Sequence, residues 1–309
     1  LSLDSTIYFS TTVPAKKFVG TLFELGMDAL IVGNNYFGLR LPTDFDLPEI
    51  KDLLELARQK GKKIIVAANA ILHNDQLPEY REYLRQLVQA KVDYIMVGDA
   101  GAVNILQNNF PQQKFIYFGE VLDTNSGMMN FWGNEGASFV RLARELPYVE
   151  LKELIPNLRV TPIIQLFGPI SIQQSGRNLI YNYLDYVGNT NAYSQKKVYQ
   201  LALPQKPQAR YTMFEDHNGT HMFAPEDLNL ISKMPELYDL GIRNFTFDGL
   251  FYQGKNWNDI LKEFNQARRV LLNFDQTSWN HVIDNLKAKL PVNRQYSTGF
   301  YDYQMGDIK

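Results

Sequence analysis

Eight short β-rich apolar runs, separated by segments of helical periodicity, constrain this chain more than any other feature. They fall at residues 5–13, 28–33, 62–70, 92–98, 114–119, 138–142, 159–168 and 243–248. Runs such as Ile64-Ile65-Val66-Ala67-Ala68 have no polar alternation, which is what strands buried on both faces of a parallel sheet require. The intervals read as helices. Residues 49–60, for example, carry Ile50, Leu53, Leu54 and Ala57 at helical spacing, with Gly61 as a stop signal. Strands alternating with helices predict an α/β fold, and eight such units favour a closed TIM-like (β/α)8 barrel over an open doubly wound sheet, which pattern alone also allows. The length of 309 residues suits one barrel domain over 1–309, since about 250 residues is typical of such barrels.

The regular spacing breaks once, between the seventh and eighth strands, where residues 169–224 form a long insertion. Within it, 210–224 reads as a β-hairpin with Asn218-Gly219 as a two-residue turn, and 191–207 as a polar, exposed excursion. After the last strand, a largely helical stretch leads into an aromatic, turn-rich tail, together covering 256–309.

In a barrel the working face lies at the C-terminal ends of the strands, so polar residues just after each strand are the site candidates. They are Asn34, Asn35 and Arg40 after strand two, Asn69 at strand three, Asp99 after strand four, Glu120 after strand five, Arg144 and Glu145 after strand six, and Asp248 after strand eight. The same residue types also serve as caps and turn formers. Arg177, beside Ser175 and Gly176, offers a guanidinium that could clamp a carboxylate or phosphate, or pair with a rim acid such as Glu120 or Glu145. An acidic-ligand pocket is expected to show Arg144 and Arg177 converging near the strand ends. In the hairpin, the two-residue turn would set Asp216 directly opposite His221, either as a dyad or as an ordinary cross-strand pair, with Glu215 adjacent. Tyr181, Tyr183, Tyr186 and Tyr193 crowd the insertion, where they could stack on bases or pack a core.

Other chemistries lack support. The chain has no cysteine, which removes disulfides, thiolate nucleophiles and cysteine-ligated iron–sulfur clusters in this polypeptide. No His-Glu-x-x-His, Walker loop, Gly-x-Gly-x-x-Gly or Gly-x-Ser-x-Gly occurs, and His217 and His221 flank a turn, so no metal site is expected. With 31 basic and 33 acidic residues the net charge is −2, so RNA binding would need a local patch or a basic partner. No apolar run reaches the roughly 18 residues of a spanning helix, and no secretory leader is evident, so a cytoplasmic, membrane-free protein is expected.

The segment Gln165-Leu-Phe-Gly-Pro-Ile-Ser-Ile-Gln-Gln-Ser-Gly-Arg-Asn-Leu-Ile-Tyr-Asn-Tyr-Leu184 resembles the signature of the bacterial collagenase-like peptidases. That family is named for a proteolytic, hydrolase activity, while its better-understood members hydroxylate RNA or quinone precursors. Further blocks carry the likeness along the chain: 34–41, 68–75, 142–146, 214–221 and 291–300. The pattern looks closest to a short, cysteine-poor paralogue that many Gram-positive bacteria encode beside a longer, cluster-bearing relative. The resemblance implies a barrel and a place in the system that makes 5-hydroxyuridine at the tRNA wobble position, with prephenate as oxygen source. It also implies a heteromer with the longer paralogue, which would hold the iron–sulfur cluster and contact the tRNA. Two departures bear on catalysis: Ser171 and Asn178 stand where the family has cluster cysteines, and Asp248-Gly249-Leu250 replaces Glu-Gly-Arg. An accessory role is therefore the first reading, with a peptidase and a non-catalytic scaffold as alternatives. Arg144, Glu145, Arg177, Glu215 and Asp216 stand at matching family positions, so the resemblance implies that a pocket persists.

Overall fold

The computed structural model describes residues 6–120, 123–195, 197–304 and 306–307. Ser5 of the first expected strand and Met305, Ile308 and Lys309 of the expected tail lie outside the described residues. Seven strands follow one another around a parallel sheet: β1 (Tyr8–Thr12), β2 (Ala29–Val32), β3 (Lys63–Ala67), β4 (Tyr94–Val97), β5 (Phe115–Tyr117), β6 (Ala137–Arg141) and β7 (Thr161–Ser175). Next in the chain come β8 (Tyr199–Leu203), β9 (Lys206–Asp216), β10 (Gly219–Asn229), β11 (Asn244–Phe247) and β12 (Gln295–Ser297). β11 pairs in parallel with both β7 and β1, which closes an eight-stranded TIM-like barrel.

Residue alternation explains the unbroken apolar runs. In β3, Ile65 and Ala67 point into the barrel with Ile31, Met96, Ile116 and Ile163, while Ile64 and Val66 pack outward against the helices. Both faces are dry, so both positions must be apolar. The helix Leu47–Gln59 shows how the outer layer is set. Asp46 caps it by accepting from the Glu49 amide while Glu49 returns the bond, and Ile50, Leu53, Leu54 and Ala57 form its buried stripe.

Strand β7 departs from the expected 159–168 by running on for 15 residues. Its first half belongs to the barrel; the rest leaves the C-terminal mouth and pairs antiparallel with β10, which pairs with β9, which pairs with β8. The insertion is therefore an antiparallel arm, with the helix Leu179–Tyr186 at its outer end. The segment expected to be a polar excursion contains the edge strand β8. The hairpin turn also sits one residue earlier than expected. His217 and Asn218 form the loop, and Gly219, at φ +97°, pairs with Asp216. The left-handed Gly219 closes the turn and opens the return strand, and moving the turn by one residue shifts the pairing by two, so His221 faces Phe214 and not Asp216.

Candidate functional site

The mouth of the barrel holds a buried cluster of charge. Arg141 ends β6, Arg144 follows it, Arg40 comes from the loop after β2, Glu120 from the loop after β5, and Asp248 from the residue after β11. Glu120 forms an ion pair with Arg40 and a second with Arg144 Nη2 at 3.0 Å. Arg141 Nη2 donates to Gln165 Oε1 at 2.7 Å, and its guanidinium lies 4.2 Å from the centre of the Phe118 ring. Arg40 and Glu120 adopt φ values of 54° and 73°, so two non-glycine residues in left-handed backbone face each other across the mouth. Such strain costs on the order of 1–3 kcal/mol per residue and persists where the surroundings fix the geometry.

Above this cluster lies a recess of about 200 Å³ lined by Arg40, Asn69, Phe118, Glu120, Ser171 and Gln174. A smaller space of about 30 Å³ continues below it to Thr12, Arg141, Arg144 and Asp248. The β7 extension forms one wall, tied across by Arg40 Nη1 donating to Gln174 Oε1 at 2.9 Å.

Burial acts against every charge here, and the partners decide the outcome. Burial works to raise the Glu120 carboxyl, but Arg40, Arg144 and Arg141 outweigh it and hold the group below its usual range. For Asp248 burial wins and the carboxyl is raised. Burial, reinforced by Arg144, lowers Arg141 to about 10. Three guanidiniums thus share one firmly ionised carboxylate, and the Nε atoms of Arg141 and Arg144 are buried without a hydrogen-bond partner. Unsatisfied buried donors are costly.

Asp123, which accepts from the Gly119 amide at 2.6 Å, stands beside Glu120. Burial, partly offset by that amide and reinforced by Glu120, pushes its carboxyl up to about 6. The folded protein then binds a proton more tightly than the unfolded chain, so this group's contribution to stability falls as pH rises from about 4 to about 6 and is flat above. Asp123→Asn keeps an oxygen for Gly119 and is expected to stabilise the protein by about 1–2 kcal/mol at pH 7 but not at pH 4. Urea denaturation of both forms at the two pH values checks this; an equal difference at both would contradict it.

Of the residues singled out in the sequence, Asn69, Glu120, Arg144 and Asp248 meet at the recess and the space beneath it, with Arg40. Asn69 also accepts from the Leu39 amide at 3.2 Å. Asp99 instead caps the helix Ala100–Asn109. Glu145 is half-buried, with burial raising its carboxyl, and does not line the recess. Arg177 does not converge with Arg144. The continuation of β7 carries Ser175 and Arg177 beyond the mouth; Arg177 is exposed there, its amide donating to Ser175 Oγ at 3.2 Å. Arg144 stands instead with Arg40 and Arg141 around Glu120. Arg141 was hidden inside an apolar run; inward alternation with Phe139 was the signal for it.

In the arm, His221 Nε2 lies 2.9 Å from Asp216 Oδ1, although the shifted turn places them diagonally and not opposite. The imidazole is fully buried and its Nδ1 has no partner, so the pair has no nucleophile to activate. Glu215 is spent on structure: it accepts from the amides of Ile180 and Tyr181 and from Thr220 Oγ1, fixing the start of the helix Leu179–Tyr186. Ser171 and Asn178 offer a hydroxyl and an amide, which do not fit an iron–sulfur cluster held by thiolates, and among the described residues no His, Asp and Glu group could hold a metal ion.

Fold and site define a TIM-like barrel protein with a buried arginine cluster at its mouth and an antiparallel arm beside it. The chain belongs to peptidase family U32, whose profile matches residues 16–309. It is 34% identical over 285 residues to tRNA hydroxylation protein P2 of Bacillus subtilis, covering 91% of this chain and 92% of that protein. It is 27% identical over 227 residues to tRNA hydroxylation protein P1 of the same organism, covering 72% of this chain and 54% of P1. The solved structure of the U32 peptidase Mk0906 superimposes with a TM-score of 0.50 at 13% identity, over 81% of this chain and 94% of that one, a likeness of fold. Among the described residues no helix is long and apolar enough to cross a membrane.

Proposed function

We propose that this chain is the cluster-free subunit of a tRNA wobble-uridine hydroxylation system, in which it binds a small carboxylate such as prephenate beside a longer, cluster-bearing paralogue. The observation that carries the reading is the arginine cluster: three buried guanidiniums against one firmly ionised acid, with two free Nε donors, at the ligand-binding end of a barrel. A dicarboxylate supplies both the charge and the acceptors that this cluster lacks. The tRNA hydroxylation names of the P1 and P2 relatives support the pathway. The peptidase reading loses ground because the one Asp–His pair in the arm is buried and has no nucleophile.

Mass spectrometry of tRNA nucleosides tests the proposal in a strain lacking both this gene and its longer relative. Restoring the relative alone should leave 5-hydroxyuridine derivatives depleted, and adding back this chain should restore them, whereas its Arg144→Gln form should not. Full modification without this chain would refute the role.

A further inference from the structure

The outer end of the arm differs in charge from the rest of the molecule. Residues 175–214 hold five basic side chains and one acidic one, Asp185, a balance of +4 in a chain whose net charge is −2. Among the described residues, no carboxylate pairs with Arg177, Lys197, Lys206 or Arg210. Elsewhere several cations do have a carboxylate partner, with Lys62 and Arg268 on Asp28, Lys63 on Asp93, Lys289 on Glu263 and Arg294 on Asp227, while others such as Lys91 and Lys114 have none among the described residues.

Aromatic rings lie toward one end of this stretch: the helix Leu179–Tyr186 starts on Glu215, near the end of β9, and Lys206 begins the same strand. The helix Leu179–Tyr186 turns Ile180 inward and leaves Leu179, Tyr183 and Tyr186 as an outward stripe at i, i+4 and i+7. Tyr183 is 64% exposed and Tyr186 88% exposed. Glu215 and Thr220 fix the first turn of the helix through the Ile180, Tyr181 and Leu179 amides, so the stripe is held in a defined orientation. Exposed tyrosines on one arm with cations that lack a carboxylate partner suit a single-stranded polynucleotide: phosphates meet the cations and bases stack on the rings. An acidic protein surface could meet the same groups, and the test below separates it from RNA.

We propose that the arm, from the helix Leu179–Tyr186 along β9 to Lys206, is a binding surface for single-stranded RNA, with Tyr183 and Tyr186 as stacking platforms and Arg177, Lys197, Lys206 and Arg210 as phosphate contacts. This rests on the reading that the chain serves RNA hydroxylation, and it assigns the RNA contact to this chain and not to its partner alone.

The test is fluorescence anisotropy of the full-length chain with a labelled anticodon stem-loop RNA, an unstructured RNA and an RNA duplex, over a range of salt. Single-stranded and loop RNA should bind in preference to duplex. Tyr183→Ala with Tyr186→Ala should weaken binding on the order of 100-fold at constant salt, about tenfold per ring. Lys206→Glu with Arg210→Glu should lower the slope of log affinity against log salt by about 1.4. No RNA binding by the wild-type chain, or binding unchanged in both variants, would overturn the proposal. So would variants that keep RNA affinity but lose the purified longer paralogue, which would make the arm a protein-docking surface. Prephenate titration of the same variants separates this from the pocket: unchanged prephenate affinity with lost RNA affinity supports two sites, while absent prephenate binding with intact RNA binding counts against the pocket alone.

Discussion

Arg144→Gln is expected to weaken prephenate binding by about 100-fold in isothermal titration calorimetry of the full-length chain, with circular dichroism showing a folded barrel. Removing one buried partner of a charged hydrogen-bonded group typically costs 2–5 kcal/mol, and a tenfold loss corresponds to about 1.4 kcal/mol. The substitution removes one of the three cations that hold Glu120 ionised, so the remaining carboxylate also repels the ligand more strongly. Arg144→Lys keeps the charge but loses the planar fork, and an intermediate loss of about tenfold is expected. Because the cluster is buried, affinity should change little between low and moderate salt, unlike binding at an exposed patch. Equal affinity in wild type and Arg144→Gln would remove the arginine cluster from ligand binding.

Gly168→Ala is expected to have the largest effect on folding. Gly168 adopts φ +118°, and a Cβ there would stand 2.2 Å from the Asp248 carbonyl oxygen, a backbone atom that cannot turn aside. The residue lies where β7 leaves the barrel, directly against the strand end that carries Asp248 into the mouth. A side chain would have to push β11 away or straighten β7, at a cost of about 3 kcal/mol or more. A fall in melting temperature of roughly 5–10 °C is expected for a protein of this size. Loss of prephenate affinity at temperatures where the variant remains folded would show that Asp248 had moved as well.

The barrel was legible because its signal is redundant. Strands buried on both faces leave continuous apolar runs, and the intervening helices carry one-sided stripes, so each unit announces itself locally. The mouth was legible in part for the same reason: Asn69, Glu120, Arg144 and Asp248 each follow a strand. Arg177 was misplaced because Gly168-Pro169 reads as a strand end, whereas the left-handed glycine turns the chain and lets pairing with β10 continue. Pairing between segments some fifty residues apart has no local signature. The hairpin turn was missed by one residue, and the pairing by two, because Asp216-His217-Asn218-Gly219 is compatible with two turn positions, and in the observed one Glu215 accepts from the Ile180 amide at the start of the helix Leu179–Tyr186. Glu215 and His221 looked chemical in isolation; only their burial shows how they are used.

A strand that belongs at once to the barrel and to the arm behaves as a graduated rod. The seven residue steps from Gly168 to Ser175 span about 23 Å at the usual rise of an extended strand, and crosslinks from Arg40 to Gln174 and from Asn218 to the Asn35 carbonyl brace the rod to the rim. Its length can change without turning a face in pairs of residues, or by a bulge such as those its pairing with β10 already holds between Met222 and Phe223 and between Phe223 and Asp227. Removing one would turn Glu215 and its neighbours to the wrong face, whereas removing a matched pair from β7 and β10 would shorten the reach by about 7 Å and leave every face as it was. The separation between whatever the tip holds and whatever the mouth holds is thus a dimension of this protein set by steps of the pleat and by the bulges within it.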